Sequence, residues 1–337
     1  MNHGRGIPAF AAAIVLLGCA TQSATPGEIA MNNGAPSVIA EEPAILTTRT
    51  GEIFGTLELP AARQPVPVVL IIAGSGPTDR NGNSPALPGS NNSLKMLADG
   101  LAARGIASLR YDKRGIAASR AAMTGEQDLR FTNFIEDADA WVKQLRADKR
   151  FFTVTVAGHS EGSLIGMAAA REANADAYVS LEGAGRRASE ILVEQLKPQL
   201  PPELFAQTEH ILDQLVAGTI PNPPPTVLPQ LFRPSVLPYL VSWFKYDPPA
   251  EIAKLTIPVL IVQGSTDIQT SMTDAKALAA ANPSARFLAI DGMNHILKGV
   301  SGGLLEQQPK YSDPTLPVVP QLLDELAAFV RAARKKG

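Results

Sequence analysis

Cysteine is nearly absent from this chain, with one in 337 residues, and there are only four histidines and 5% aromatics. A single thiol closes no internal disulfide, and without a Cys-x-x-Cys pair the common zinc spacings are excluded. No apolar run reaches the roughly 18 residues that a membrane-spanning helix requires. Charged residues make up 18% and the net charge is −2, so the basic face that nucleic acid selects is missing. With no internal repeat, heptad run or metal-ligand cluster in the sequence, neither a metal nor a cofactor is expected. What is plentiful is hydrophobic residues, 45%, together with 27 glycines and 28 prolines. That composition suits one large α/β core with an insertion.

The strongest positive signal is Gly158-His159-Ser160-Glu161-Gly162, directly after the strand-like run Phe152–Ala157 and before the small-residue helical stretch Ser163–Ala170. At a strand-to-helix junction this spacing puts the serine on a sharp turn, with its hydroxyl clear of the sheet and the next amide facing the same space. A serine hydroxyl becomes a nucleophile only when a base takes its proton and a third group orients the base. His3 lies in the N-terminal leader, His159 inside the turn and His210 in a helical stretch. His295, just past the strand pattern Arg286–Ile290, is therefore the expected base. The expected acid is Asp267, past the strand pattern Ile257–Gln263, with Asp274 and Asp291 as rivals.

The reaction also needs N–H donors aimed where negative charge develops on a carbonyl oxygen. The amide of Glu161 is one expected donor. The other is that of Ser75, in the loop Ala73–Asn83, which follows a strand Val66–Ile72 expected to be broken by Pro67.

With Gly74-Ser75-Gly76-Pro77-Thr78-Asp79-Arg80-Asn81-Gly82, the Gly-His-Ser-Glu-Gly turn and Leu109-Arg110-Tyr111-Asp112-Lys113-Arg114-Gly115, residues 45–335 resemble bacterial α/β-hydrolases. The branch is that of dienelactone-hydrolase-like esterases and serine aminopeptidase-type hydrolases. The resemblance implies a Ser160–Asp267–His295 triad. Two departures stand out: Ala73 where many relatives carry His, and Ala117 where the D-x-R-G-x-G pattern carries Gly. Arg114 and Asp112 are expected to pair and brace the oxyanion loop.

At the N-terminus, Arg5 and the apolar stretch Ile7–Leu17 lead into Leu16-Leu17-Gly18-Cys19, which resembles a bacterial lipobox. Residues 1–18 then read as a lipoprotein signal and Cys19 as the lipidated residue. Ala20 in the next position, by the same resemblance, favours the periplasmic face of the outer membrane. Residues 19–44, poor in aromatics, read as a flexible tether.

Strand and helix patterns alternate over 45–337, which predicts a mainly parallel, doubly wound sheet. The alternation is interrupted at 184–250 by helical patterns, a proline-rich segment and the aromatic cluster Phe232, Tyr239, Trp243, Phe244 and Tyr246. A helical cap is expected there, with Trp243 and Phe244 as candidate walls of an acyl pocket. The reading that follows is a serine esterase for small-to-medium acyl groups, touching a membrane only through its lipid anchor. A peptidase would need a site for the substrate amine, for which Glu161, Glu182 or Asp79 are candidates. A lipoprotein that binds a ligand without catalysis is the third reading.

Overall fold

In the computed structural model, which describes residues 40–63 and 65–333, eight strands form one sheet. They are β1 Ala40–Thr48, β2 Gly51–Leu59, β3 Val66–Ile72, β4 Ala107–Tyr111, β5 Phe151–His159, β6 Ala177–Leu181, β7 Val259–Gly264 and β8 Arg286–Ile290. Their spatial order is β1-β2-β4-β3-β5-β6-β7-β8. The hairpin β1–β2 and the β2–β4 pair are antiparallel, and all later pairs are parallel. Strands covered on both faces need no alternation of polar and apolar residues. Accordingly β3, Val-Pro-Val-Val-Leu-Ile-Ile, is buried throughout.

The helices are α1 Ser93–Ala102, α2 Phe131–Ala147, α3 Glu161–Glu172, α4 Ala188–Leu196, α5 Pro202–Val216, α6 Pro229–Phe232, α7 Leu237–Phe244, α8 Pro248–Ile252, α9 Met272–Ala281, α10 Leu304–Gln307 and α11 Pro320–Ala332. Leucines of α1 and α11 cover one sheet face with Val69 and Ile71. On the other face α2, α3 and α9 pack against Val68, Leu70 and Ile72, and this core runs on into the segment α4–α8 between β6 and β7. No helix among the described residues is long and apolar enough to cross a membrane.

Two expectations need correction. The tether does not extend to residue 44, because β1 begins at Ala40 and pairs with β2 over all nine of its residues. Its first residues carry little strand propensity, and Pro43 is tolerated because β1 is an edge strand. Nor does Pro67 break β3: the register against β5 shifts between Val66 and Val68, an irregularity that absorbs the missing N–H. The leader, Cys19 and the tether up to residue 39 lie outside the described residues.

Candidate active site

The turn between β5 and α3 holds Ser160 at φ 55°, ψ −121°, a conformation L-residues rarely adopt, and its amide donates to Leu181 O at 3.0 Å. Such a backbone costs about 1–3 kcal/mol and persists only where its surroundings dictate it. Here they do. A Cβ on Gly158 would overlap the Gly162 carbonyl, and one on Gly162 would overlap that of Ile72. Strand, turn and helix therefore meet at a distance that only glycine permits.

The loops after β7 and β8 bring Asp267 and His295 together, His295 Nδ1 lying 2.7 Å from Asp267 Oδ2. A carboxylate only accepts, so Nδ1 carries the proton and Nε2 remains the ring's acceptor. Asp267 Oδ1 takes the amides of Gln269 at 2.6 Å and Thr270 at 3.1 Å, and Oδ2 also takes the Thr270 hydroxyl at 2.8 Å. Burial pushes the Asp267 carboxyl up, but His295, Glu182 and the Gln269 amide outweigh it and hold the group well below the usual carboxylate range. The rival acids are engaged elsewhere: Asp274 closes a capping box with Ser271 and binds Arg186, and Asp291 accepts the Ser265 hydroxyl.

Beneath this pair lies Glu182, fully buried. Its Oε1 accepts the Gly264 amide at 2.8 Å, while Gln263 Nε2 sits 2.6 Å from its Oε2 and 3.3 Å from Asp267 Oδ2. Burial and then the charge of Asp267 raise its pKa well above the ordinary value. His159, likewise buried, is neutral, and its Nε2–H donates to His295 O at 2.6 Å. Through that bond the residue beside Ser160 holds the loop that carries His295.

Ser160, Ser75, Glu161, Leu164, Ile191 and Trp243 are among the walls of a narrow cavity of about 50 Å³. Trp243 stacks on Phe131 with centroids 5.9 Å apart. Phe244 is a correction: it is absent from the cavity wall and buried in the core, because its helical neighbour already faces the cavity and successive side chains diverge by about 100°.

The expected Arg114–Asp112 pair does not form. Asp112 binds Arg80, through the guanidinium at 2.7 Å and the backbone amide at 2.8 Å, and so braces the loop after β3. Arg114 binds Asp137 at 2.5 Å. Sequence reasoning missed Lys113, whose buried Nζ donates to Gly74 O and to Glu161 Oε2, both at 2.6 Å. The residue stands between Asp112 and Arg114, and three adjacent charges do not reveal that Asp112 and Lys113 are the buried ones. Elsewhere, Glu41, Glu58 and Asp99 offer oxygens within 4.8 Å of one another. Arg110 and Lys95 bind these carboxylates, which makes the group an ion-pair network.

A family profile described as serine aminopeptidase, S33, matches residues 90–198. Esterase EstD of Thermotoga maritima is 30% identical over 251 residues, which are 72% of this chain and 57% of that protein. The chain thus spans little more than half the length of this relative. Est1E from Butyrivibrio proteoclasticus superposes with a TM-score of 0.54 at 17% identity, over 86% of this chain and 96% of that one. An esterase domain from a Rhodothermus marinus protein does so with a TM-score of 0.52 at 16% identity, over 88% and 99%. The strand order, the strained serine turn and these superpositions together make this chain an α/β-hydrolase fold with a helical cap between β6 and β7.

Proposed function

We propose that the protein is a serine hydrolase that cleaves carboxylic esters through an acyl-enzyme intermediate. The observation that carries this reading is Ser160, held in a strained turn on a cavity wall while a separate pair of loops joins Asp267 to His295 at 2.7 Å. Ser160 Oγ attacks the carbonyl carbon as His295 Nε2 takes its proton. The Ser75 and Glu161 amides hold the oxyanion, and His295 returns the proton to the departing alcohol. Water then repeats the sequence and releases the acid. EstD is an esterase by name, which supports the same chemistry here.

Ester is favoured over peptide by the state of the three acids that could receive a substrate amine. Glu161 is bound by Lys113 and Tyr239, Glu182 is buried beneath Asp267, and Asp79 accepts the amides of Asn81 and Asn83 at 2.8 and 2.9 Å. The cavity, of about 50 Å³, has room for only a few water molecules and supports a small-to-medium acyl group.

The test is hydrolysis of aryl acetate and butyrate esters. Ser160→Ala and His295→Ala should each lower turnover by at least about a thousandfold with folding retained. A fluorophosphonate should label wild type and not Ser160→Ala. A folded Ser160→Ala variant of near-normal activity sinks the reading, and absence of labelling in wild type favours a ligand-binding relic. We further propose lipidation at Cys19 and a periplasmic, outer-membrane address, supported by the Leu16-Leu17-Gly18-Cys19 sequence. Mass spectrometry of membrane-extracted protein showing an unmodified Cys19 refutes it.

A further inference from the structure

We infer that Lys113 is a positioning residue that aims both oxyanion donors at once and couples them to the cap. The inference rests on the serine-esterase reading. Lys113 follows β4, and its side chain, 2% exposed, ends in an ammonium 2.6 Å from Gly74 O and 2.6 Å from Glu161 Oε2. Gly74 C=O and Ser75 N–H belong to one peptide unit. In a planar trans peptide the two point in opposite directions, so a donor fixed on the carbonyl fixes the aim of the Ser75 N–H. It also polarises that peptide and strengthens the N–H as a donor.

The second contact holds the side chain of Glu161, the first residue of α3, whose own N–H has no intrahelical partner and faces the cavity end of the helix. The other carboxylate oxygen, Oε1, accepts the Tyr239 hydroxyl from α7. One ammonium thus ties the loop after β3 to the start of α3, and the carboxylate it holds ties both to the cap. Stability alone is a poor account of this pair. Burying two charges forfeits their hydration, and a well-packed apolar pair is often as stable.

The experiment compares wild type, Lys113→Met and the double variant Lys113→Met/Glu161→Gln on an aryl butyrate, with rates expressed per fluorophosphonate-reactive serine. The single variant leaves Glu161 buried without its partner and can fold poorly. The double variant removes both charges together and keeps an acceptor for Tyr239. In the double variant kcat should fall on the order of a hundredfold, the scale of losing one oxyanion donor, with KM changed by no more than about threefold. An aryl trifluoromethyl ketone, which forms a tetrahedral adduct on serine, should weaken by the same factor as kcat/KM. A folded double variant with wild-type kcat overturns the inference, as does a drop in kcat with ketone affinity unchanged. Failure of the esterase reading looks different: Ser160→Ala would then behave like wild type. Loss of activity in Ser160→Ala beside a normal double variant rejects the role of Lys113 alone.

Discussion

His159 shows how far the environment of one residue can be read as chemistry. Burial, and then the neighbouring His295, push its pKa down to about 3. It is therefore neutral in the folded protein at every pH where the protein would work, and its Nε2 keeps the proton it donates to His295 O. A histidine depressed in the folded state contributes stability that is fully present above about pH 6.5 and is lost as pH falls toward 3. Replacement by Gln, which offers an amide at the same reach without a titrating ring, should flatten the fall in urea midpoint between pH 7 and pH 5. Equal acid sensitivity in both proteins would assign the loss to other groups. Ala117 offers a second residue-scale prediction. It sits at φ 42°, at the position where the family pattern carries glycine. Ala117→Gly should relieve about 1–2 kcal/mol of left-handed strain against up to about 1 kcal/mol of added unfolded-state freedom. The expected net is a rise of about 1–3 °C in melting temperature, read by calorimetry.

At the scale of elements, the cap is docked rather than loosely hinged. The α7 residue Ser242 accepts the Phe131 amide at the start of α2 at 2.8 Å, and Tyr239 meets Phe134 edge-on at 5.9 Å. Just before α7, Arg233 binds Glu126 at 2.6 Å. The two adjacent aromatics of α7 should then separate in their effects. Trp243→Ala opens the cavity wall and should widen acyl-length tolerance while sparing acetate hydrolysis. Phe244→Ala removes a core ring and should cost about 3–5 kcal/mol of stability without altering the chain-length profile. Chain-length profiles and denaturant midpoints for the two variants decide it, and a profile unchanged by Trp243→Ala would make that ring cap core as well.

For the whole molecule, the sheet places Ser160, Asp267 and His295 past the carboxyl ends of β5, β7 and β8, where parallel sheets leave loops free for chemistry. The opposite edge is structural. β1 buries Leu46 and Ala44, and its Glu41 and Glu42 bind Arg110 and Arg150. A chain starting at residue 40 should keep full turnover, because every residue assigned to the site lies after it. A chain starting at residue 49 should lose roughly 3 kcal/mol or more, since it exposes the β2 edge and the apolar surface under β1. Turnover per labelled serine should be unchanged in the part that stays folded. Thermal melts and active-site titration of the two truncations test this, and equal melting temperatures would show that β1 adds nothing.

Ser160, Asp267 and His295 were legible in the sequence because each sits in a short loop directly after a strand, and strands and glycine turns are local signals. Scarcity helped, since of four histidines only His295 follows a strand after the candidate acid. The boundaries of β8, Arg286–Ile290, were legible for the same reason. Tertiary structure alone decided that Lys113 of Asp112-Lys113-Arg114 reaches Gly74 and Glu161, because these acceptors lie 39 and 48 positions away. It decided that Glu182 is buried beneath Asp267 with its pKa raised, a property of burial and not of residue type. It also decided that Trp243, and not Phe244, reaches the cavity. Local chain chemistry determines where turns and strands form. Which distant side chains share a buried site follows from how the layers pack, and no spacing in the sequence encodes it.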